Sequence, residues 1–370
     1  MIAKRLISLD ALRGFTIAFM IIVNDPGSWD NTYGPLLHAK WNGITLTDFV
    51  FPFFIFIVGV SIVLSQKNKG TSSSSSKIFV RFIKIFALGV FLSVIGGFLS
   101  YIVGSGELIS LSDVRIPGVL QRIALVYLAC ALLYNKTNWM QQLFIMIGLV
   151  VGYYILMLYV PVPGVGTGFL EPGKNLAAYV DSLLIPGSMW QGTWDPEGIL
   201  STFPSIATGI SGMLAGHLII SSISLKKKVI WMFCIGVFCL LDSFAWELLF
   251  PINKNLWTST YVMYTSGWAY LLFACLMWYA DVLNYRTGIK FGIIFGSNSI
   301  AIYALSQILV WFFYDATIIG DSSINDIIYG GMVNIGIYAK TASLIWAILY
   351  MLMCYVPAYY LYKKKIFIKL

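Results

Sequence analysis

The 370-residue sequence predicts an all-α fold: a polytopic integral membrane bundle of about ten transmembrane helices, with both termini cytoplasmic. Three observations carry this. Apolar runs near 20 residues, the length that crosses a bilayer, recur from end to end. With 59% of residues hydrophobic and 11% charged, a soluble domain of this length could not hide the apolar surface. The Lys and Arg residues behind the net charge of +8 fall on alternate loops, so they report membrane sidedness and not a nucleic-acid partner.

The first span, 6–24, contains Asp10 and Arg13 and lacks a clear small-residue cleavage site, so it reads as a retained helix and not a signal peptide. The second, 45–65, opens on Thr45 and Asp48 with capping-box spacing. A polar run, Ser72 to Ser76, forms a flexible connector to the third, 78–103. Spans at 116–134, 141–160, 198–222, 229–250, 260–282, 291–314 and 337–362 complete a single domain over 1–370. Trp139, Trp190, Trp194 and Trp257 lie near span ends, as in aromatic belts. Lys4, Arg5, Lys67, Lys69, Lys77, Lys136, Lys226 to Lys228, Arg286, Lys290, Lys363 to Lys365 and Lys369 share one side. The opposite loops carry most of the acids, among them Asp25, Asp113, Asp181, Asp195, Glu197 and Asp321. The five cysteines sit inside apolar runs, and no pair has metal-ligand spacing with a histidine, which argues against disulfides and a metal site. The absence of a Walker motif or dinucleotide fingerprint disfavours ATP-driven pumping and Rossmann-type redox chemistry.

Charges inside a membrane are retained for a partner or a task. Asp48, Arg122 and Asp242 fall in an outer layer, whereas Asp10 and Arg13, spaced i and i+3, lie at the depth of Asn298 in an inner one. Asp48 suits a helix cap or an active-site carboxylate. Asp10 with Arg13 suits a local ion pair or a ligand site. Arg122 requires a carboxylate, carbonyl or ligand from another helix, and Asp48 or Asp242 is the expected partner. The chain has two histidines. His217, among small residues near the end of its span, reads as packing. His38 stands on a short polar segment before a long apolar run, where Asn24, at the end of the first span, can meet it at the rim of one cavity. The outer loop 161–197, rich in Pro, Gly and Trp, suits sugar stacking as well as it suits interfacial anchoring.

Several ordered blocks resemble the transmembrane heparan-α-glucosaminide N-acetyltransferase family and its bacterial relatives. They are Ser8 to Gly14, His38 to Phe54, Ile116 to Arg122, Asp195 to Gly198, Pro251 to Trp257 and Gly296 to Ser299. The resemblance implies acetyl transfer from cytoplasmic acetyl-CoA to the amine of a glucosamine residue across the membrane, with His38 and Asn24 matching the family's active-site residues. The chemistry needs a base for the amine proton and a donor for the developing oxyanion, which His38 and the Asn24 amide can supply. Asp48 joins them as a catalytic candidate. Trp41, Arg122, Asp242, Lys254 and Asn255 are candidate substrate-binding residues. Arg13, Asn298, Arg5, Arg81, Lys84 and Arg286 are candidates for binding acetyl-CoA. The expected setting is the inner cell membrane, among membrane lipid, with a homodimer left open. Direct transfer and an acetyl-histidine intermediate are both open, direct transfer being favoured. The competing readings are a secondary transporter of a sugar or small solute and an acyltransferase acting on a lipid-linked sugar.

Overall fold

The computed structural model describes residues 6–69, 74–104, 106–107, 110, 114–320 and 322–368. Arg5, Lys4, Asp113, Asp321, Lys369 and part of the serine run lie outside the described residues. Thirteen helices follow in order: α1 (Ile7–Asn24), α2 (Val50–Lys69), α3 (Ser75–Ile102), α4 (Val119–Lys136), α5 (Trp139–Tyr159), α6 (Leu176–Leu184), α7 (Thr202–Ile220), α8 (Leu225–Glu247), α9 (Ser259–Met277), α10 (Ile289–Ser297), α11 (Ser299–Val310), α12 (Ile324–Asn334) and α13 (Ala339–Lys363). The only strands among the described residues are two short antiparallel ones, β1 (Thr317–Ile319) and β2 (Ser322–Ser323).

The protein is thus an all-α polytopic membrane protein. Among the described residues eight helices are long and apolar enough to cross a bilayer, and α10 with α11 makes a ninth span if the 79° bend at Asn298 is counted as a break within one crossing. The difference from about ten lies in α9. It carries Ser259, Thr260, Thr265 and Ser266, all buried, and so falls short on hydropathy. A helix enclosed by others can carry such residues, because most of these hydroxyls bond to carbonyls instead of meeting lipid: Ser259 donates to Val150 at 2.6 Å, Thr260 to Phe250 at 2.5 Å and Thr265 to Tyr261 at 2.7 Å.

Helices approach closely where side chains are missing. A Cβ added to Gly14 of α1 would run into the backbone oxygen of Gly292 in α10, and one added to Gly212 of α7 into that of Phe56 in α2. Such small-residue contacts let van der Waals packing hold helices together in lipid, where no hydrophobic force draws one to another. The largest core runs through α2, α4 and α7, around Ile55, Val126, Cys130, Ile210 and Met213.

Candidate functional site

His38 belongs to the chain between α1 and α2, which the sequence closes with a capping box. Thr45 precedes the 3-10 turn Leu46–Phe49, and Asp48 answers it. The carboxylate of Asp48 does two things at once. Its Oδ2 accepts from the Thr45 N–H at 2.9 Å, the Thr45 hydroxyl at 3.0 Å and the Ala39 N–H at 3.1 Å. Its Oδ1 lies 2.7 Å from Nδ1 of His38. A carboxylate offers only acceptors, so Nδ1 carries the proton toward Asp48 and Nε2 keeps its lone pair. The cap and the active-site carboxylate are therefore the same group. Asp48 is 1% exposed and His38 45%, an anchored carboxylate beneath an accessible ring.

Lys254 comes from the turn between α8 and α9. That turn is tied to the His38 segment by Gly43 N–H to Ile252 O at 2.8 Å and by the Asn253 amide to Asn42 at 3.0 Å. Lys254 Nζ stands 3.1 and 3.2 Å from the two ring nitrogens of His38 and 4.0 Å from Asp48 Oδ1. The ammonium thus sits within hydrogen-bond distance of both ring nitrogens, and the 45% exposure of His38 leaves the ring open to a ligand that displaces it. Burial pushes the Lys254 ammonium down, and the charges of Glu197 and Asp48 partly oppose that.

Arg122, expected beside Asp48 or Asp242, meets neither. Its guanidinium, 1% exposed, donates to Gly198 O at 2.9 Å and to the Ser201 hydroxyl, with the Trp257 ring 5.2 Å away. Partners 76 and 79 residues downstream, in the turn opening α7, leave no trace in the local pattern. Trp257 itself is fully buried with φ of 51°, a left-handed conformation that a bulky residue adopts only where packing compels it. Asp242 is half-buried on α8 and makes no hydrogen bond or ion pair among the described residues.

A group the sequence reading passed over lies beside Arg122. Arg115 donates to both oxygens of Asp195, at 2.7 and 2.6 Å, and to Glu197. Burial alone would lower the Arg115 guanidinium, but Asp195 and Glu197 more than reverse this. Burial also acts to raise Asp195, yet Arg115 holds it below the usual carboxylate range. Asp181 of α6, which accepts from Ile199 N–H at 2.7 Å, is pushed up by burial to about 6. Arg115 lies one residue before the Ile116-Pro117-Gly118 block, the signal from which it could have been found.

Trp41 bridges to the outer loop through its indole N–H to Leu170 O at 2.9 Å and an edge contact with Trp194 at 4.9 Å. Asn24 and Asn255 are half-buried, and neither side chain has a hydrogen-bond partner among the described residues. Asn24 does not bond to His38. It continues a stripe on α1, one turn beyond Met20.

That stripe, Arg13, Ile17 and Met20, lines a cavity of about 710 Å³ between α1, α2, α3, α4, α10 and α11. From Phe54 to Ser65 on α2 it runs about 16 Å along the helix axis. Arg13, Lys77, Arg81, Lys84 and Asn298 line it, whereas Tyr303, Phe54 and Met20 line it toward the His38 end. Arg13 faces Asp10 at 3.4 Å and donates to Ser61 at 2.8 Å, so the ion pair and the cavity wall are one feature. Arg81 lies 4.8 Å from the Tyr127 ring. Two expectations change. The Asn298 amide is engaged by the chain after α13, through Ile366 O at 2.9 Å and Ile368 N–H at 2.8 Å. Arg286, exposed, bonds to Ala280 O in the turn after α9 and does not line the cavity. His217 is a packing residue, 3.0 Å from the Gln142 oxygen and stacked on Tyr134.

Two curated relatives align along the chain. The heparan-alpha-glucosaminide N-acetyltransferase of Mus musculus is 29% identical, covering 100% of this chain and 61% of its own length. That of Homo sapiens is 30% identical, covering 99% and 60%. The chain thus spans about three fifths of the length of these relatives. A sequence profile described as heparan-alpha-glucosaminide N-acetyltransferase, catalytic, matches residues 5–230, which is more than half of the chain and includes His38, Asp48, Arg122, Glu197 and the cationic wall of the large cavity. The chain belongs to the heparan-alpha-glucosaminide N-acetyltransferase catalytic family.

Proposed function

We propose that this protein is a transmembrane N-acetyltransferase that moves an acetyl group from acetyl-CoA on the cytoplasmic side to the amine of a glucosamine-type sugar on the outer side. The observation that carries the reading is the His38–Asp48 pair in the segment joining α1 to α2, together with a long cavity that runs between these helices from Met20 and Phe54 to a wall of Arg13, Lys77, Arg81 and Lys84. The phosphates of CoA need cations, and these four residues supply them. The apolar stretch from Ile17 and Ile57 to Met20 and Phe54 suits a pantetheine arm reaching toward His38.

In this mechanism the amine nitrogen attacks the thioester carbonyl while Nε2 of His38 takes the amine proton. Asp48 holds the ring in the tautomer that permits this and offsets the imidazolium charge. The developing oxyanion accepts from the Asn24 amide, whose donors have no other partner among the described residues. The carbon–sulfur bond then breaks, and the thiolate takes the proton from His38 and leaves as CoA-SH. No covalent intermediate is needed, because the base serves both partners within one ternary complex. Lys254 pairs electrostatically with Asp48 and brings a positive charge to the same rim.

Sealed vesicles of one orientation test the reading. With acetyl-CoA on the cytoplasmic side and glucosamine on the outer side, thiol release dependent on the sugar is expected. Acetylation with acetyl-CoA confined to the outer side refutes the transmembrane route, and solute uptake without thiol release points to a transporter instead.

A further inference from the structure

A second cavity, of about 290 Å³, shares no lining residue with the first. It lies between α3, α4, the end of α6 and the start of α7, and its walls are Phe86, Leu125, Leu184, Phe203 and Ile206. Leu125, Leu184 and Phe203 are exposed side chains of a membrane bundle, so the groove opens sideways toward acyl chains.

Two lining residues are out of keeping with an apolar groove. Gln121 is only 4% exposed, yet its amide has no hydrogen-bond partner among the described residues. Its oxygen occupies the space that the missing Cβ atoms of Gly89 and Gly118 leave open. The Gln121 amide lines the groove and so offers a donor and an acceptor to a polar ligand there. Glu197 is the second. One of its oxygens takes Arg115, and the next residue, Gly198, accepts from Arg122, whose guanidinium lies 5.2 Å from the Trp257 ring in the turn that carries Lys254. The groove therefore joins an apolar wall open to lipid, an unpartnered amide, and a carboxylate next to the Gly198–Arg122–Trp257 contacts that lead to the Lys254 turn. An amphiphile with a hydroxylated, amine-bearing head matches all three, the amine complementing the carboxylate.

We propose that this groove seats the aliphatic chain of a lipid-carried amino sugar, the acceptor whose head passes Gln121 and Glu197 on its way to His38. The proposal rests on the acetyl-transfer reading and names its acceptor class. It adds no chemical step: the amine still attacks the thioester and CoA-SH still leaves.

The test uses the full chain in phosphatidylcholine nanodiscs with acetyl-CoA, free glucosamine and a series of alkyl glucosaminides from methyl to octyl, with CoA release as the readout. In the native protein kcat/KM is expected to climb roughly fourfold for each added methylene that the groove buries. In Leu125→Trp, which fills the groove, the octyl-to-methyl ratio is expected to fall close to one. Ile206→Trp fills it from the opposite wall and serves should the first variant fail to fold. A flat series in the native protein overturns the proposal, with or without phospholipid co-purifying in the groove. So does a climb that persists unchanged in the filled variants, since partition into the bilayer alone would produce it. A flat series with brisk acetylation of free glucosamine leaves the acetyl-transfer reading standing. No thiol release with any amino sugar removes both.

Discussion

His38 reaches an accessible position with its proton already assigned, because Asp48 is locked by three donors on one oxygen and spends the other on Nδ1. His38→Ala is expected to lower acetyl transfer by about 10²- to 10⁴-fold, the range of general base catalysis, while acetyl-CoA binding and the melting temperature stay near native. Wild-type turnover in this variant would end the assignment. Asn24→Ala is expected to reduce kcat by about 10²- to 10³-fold with little change in KM, as loss of one oxyanion donor does. An unchanged kcat moves that role to Lys254. At this scale the type of residue was legible and its partner was not. The capping spacing of Thr45 and Asp48 is local and could be read, whereas Arg122 finds Gly198 and Ser201 across a loop that no periodicity spans.

Among the elements, α6 and the turn into α7 carry a buried carboxylate with a testable pH signature. Asp181 is raised by burial to about 6, from an unfolded value near 3.8. A carboxyl raised on folding contributes stability that is full below the unfolded value and is lost as pH rises through the folded one, so melting temperatures should fall between about pH 4 and pH 6. Asp181→Asn keeps an acceptor for Ile199 N–H, and this fall should shrink. A pH profile identical to native would show that the carboxyl is not the source. Helix contacts offer a second test. Gly212→Val should destabilise the protein by about 1–3 kcal/mol or more in thermal melts, because α7 meets the α2 backbone with no room for a side chain. Stability unchanged by this variant would contradict the packing. The shortfall of α9 as a span has the same origin, since hydropathy registers its hydroxyls but not the carbonyls that Ser259, Thr260 and Thr265 find.

For the whole molecule, the large cavity makes a prediction that depends on charge. Arg81→Ala with Lys84→Ala should raise KM for acetyl-CoA about tenfold or more and weaken the salt dependence of KM, with kcat nearly native, since the two cations would bind phosphate far from the reacting carbon. A change confined to kcat would exclude a role in phosphate binding.

Composition and the spacing of apolar runs determined the all-α membrane architecture, because a bilayer imposes on each segment a length and a polarity that can be counted along the chain. Ordered motifs determined the family in the same local way. Tertiary structure alone decided that Arg13, Arg81 and Lys84 share a cavity while Arg286 does not, that Asn298 is engaged by the chain after α13, and that Lys254 meets His38 from 216 residues away. These facts depend on which helix faces meet. In lipid that choice is made by close fit between small residues and by polar groups seeking partners tens to hundreds of residues away, neither of which leaves a period in the sequence.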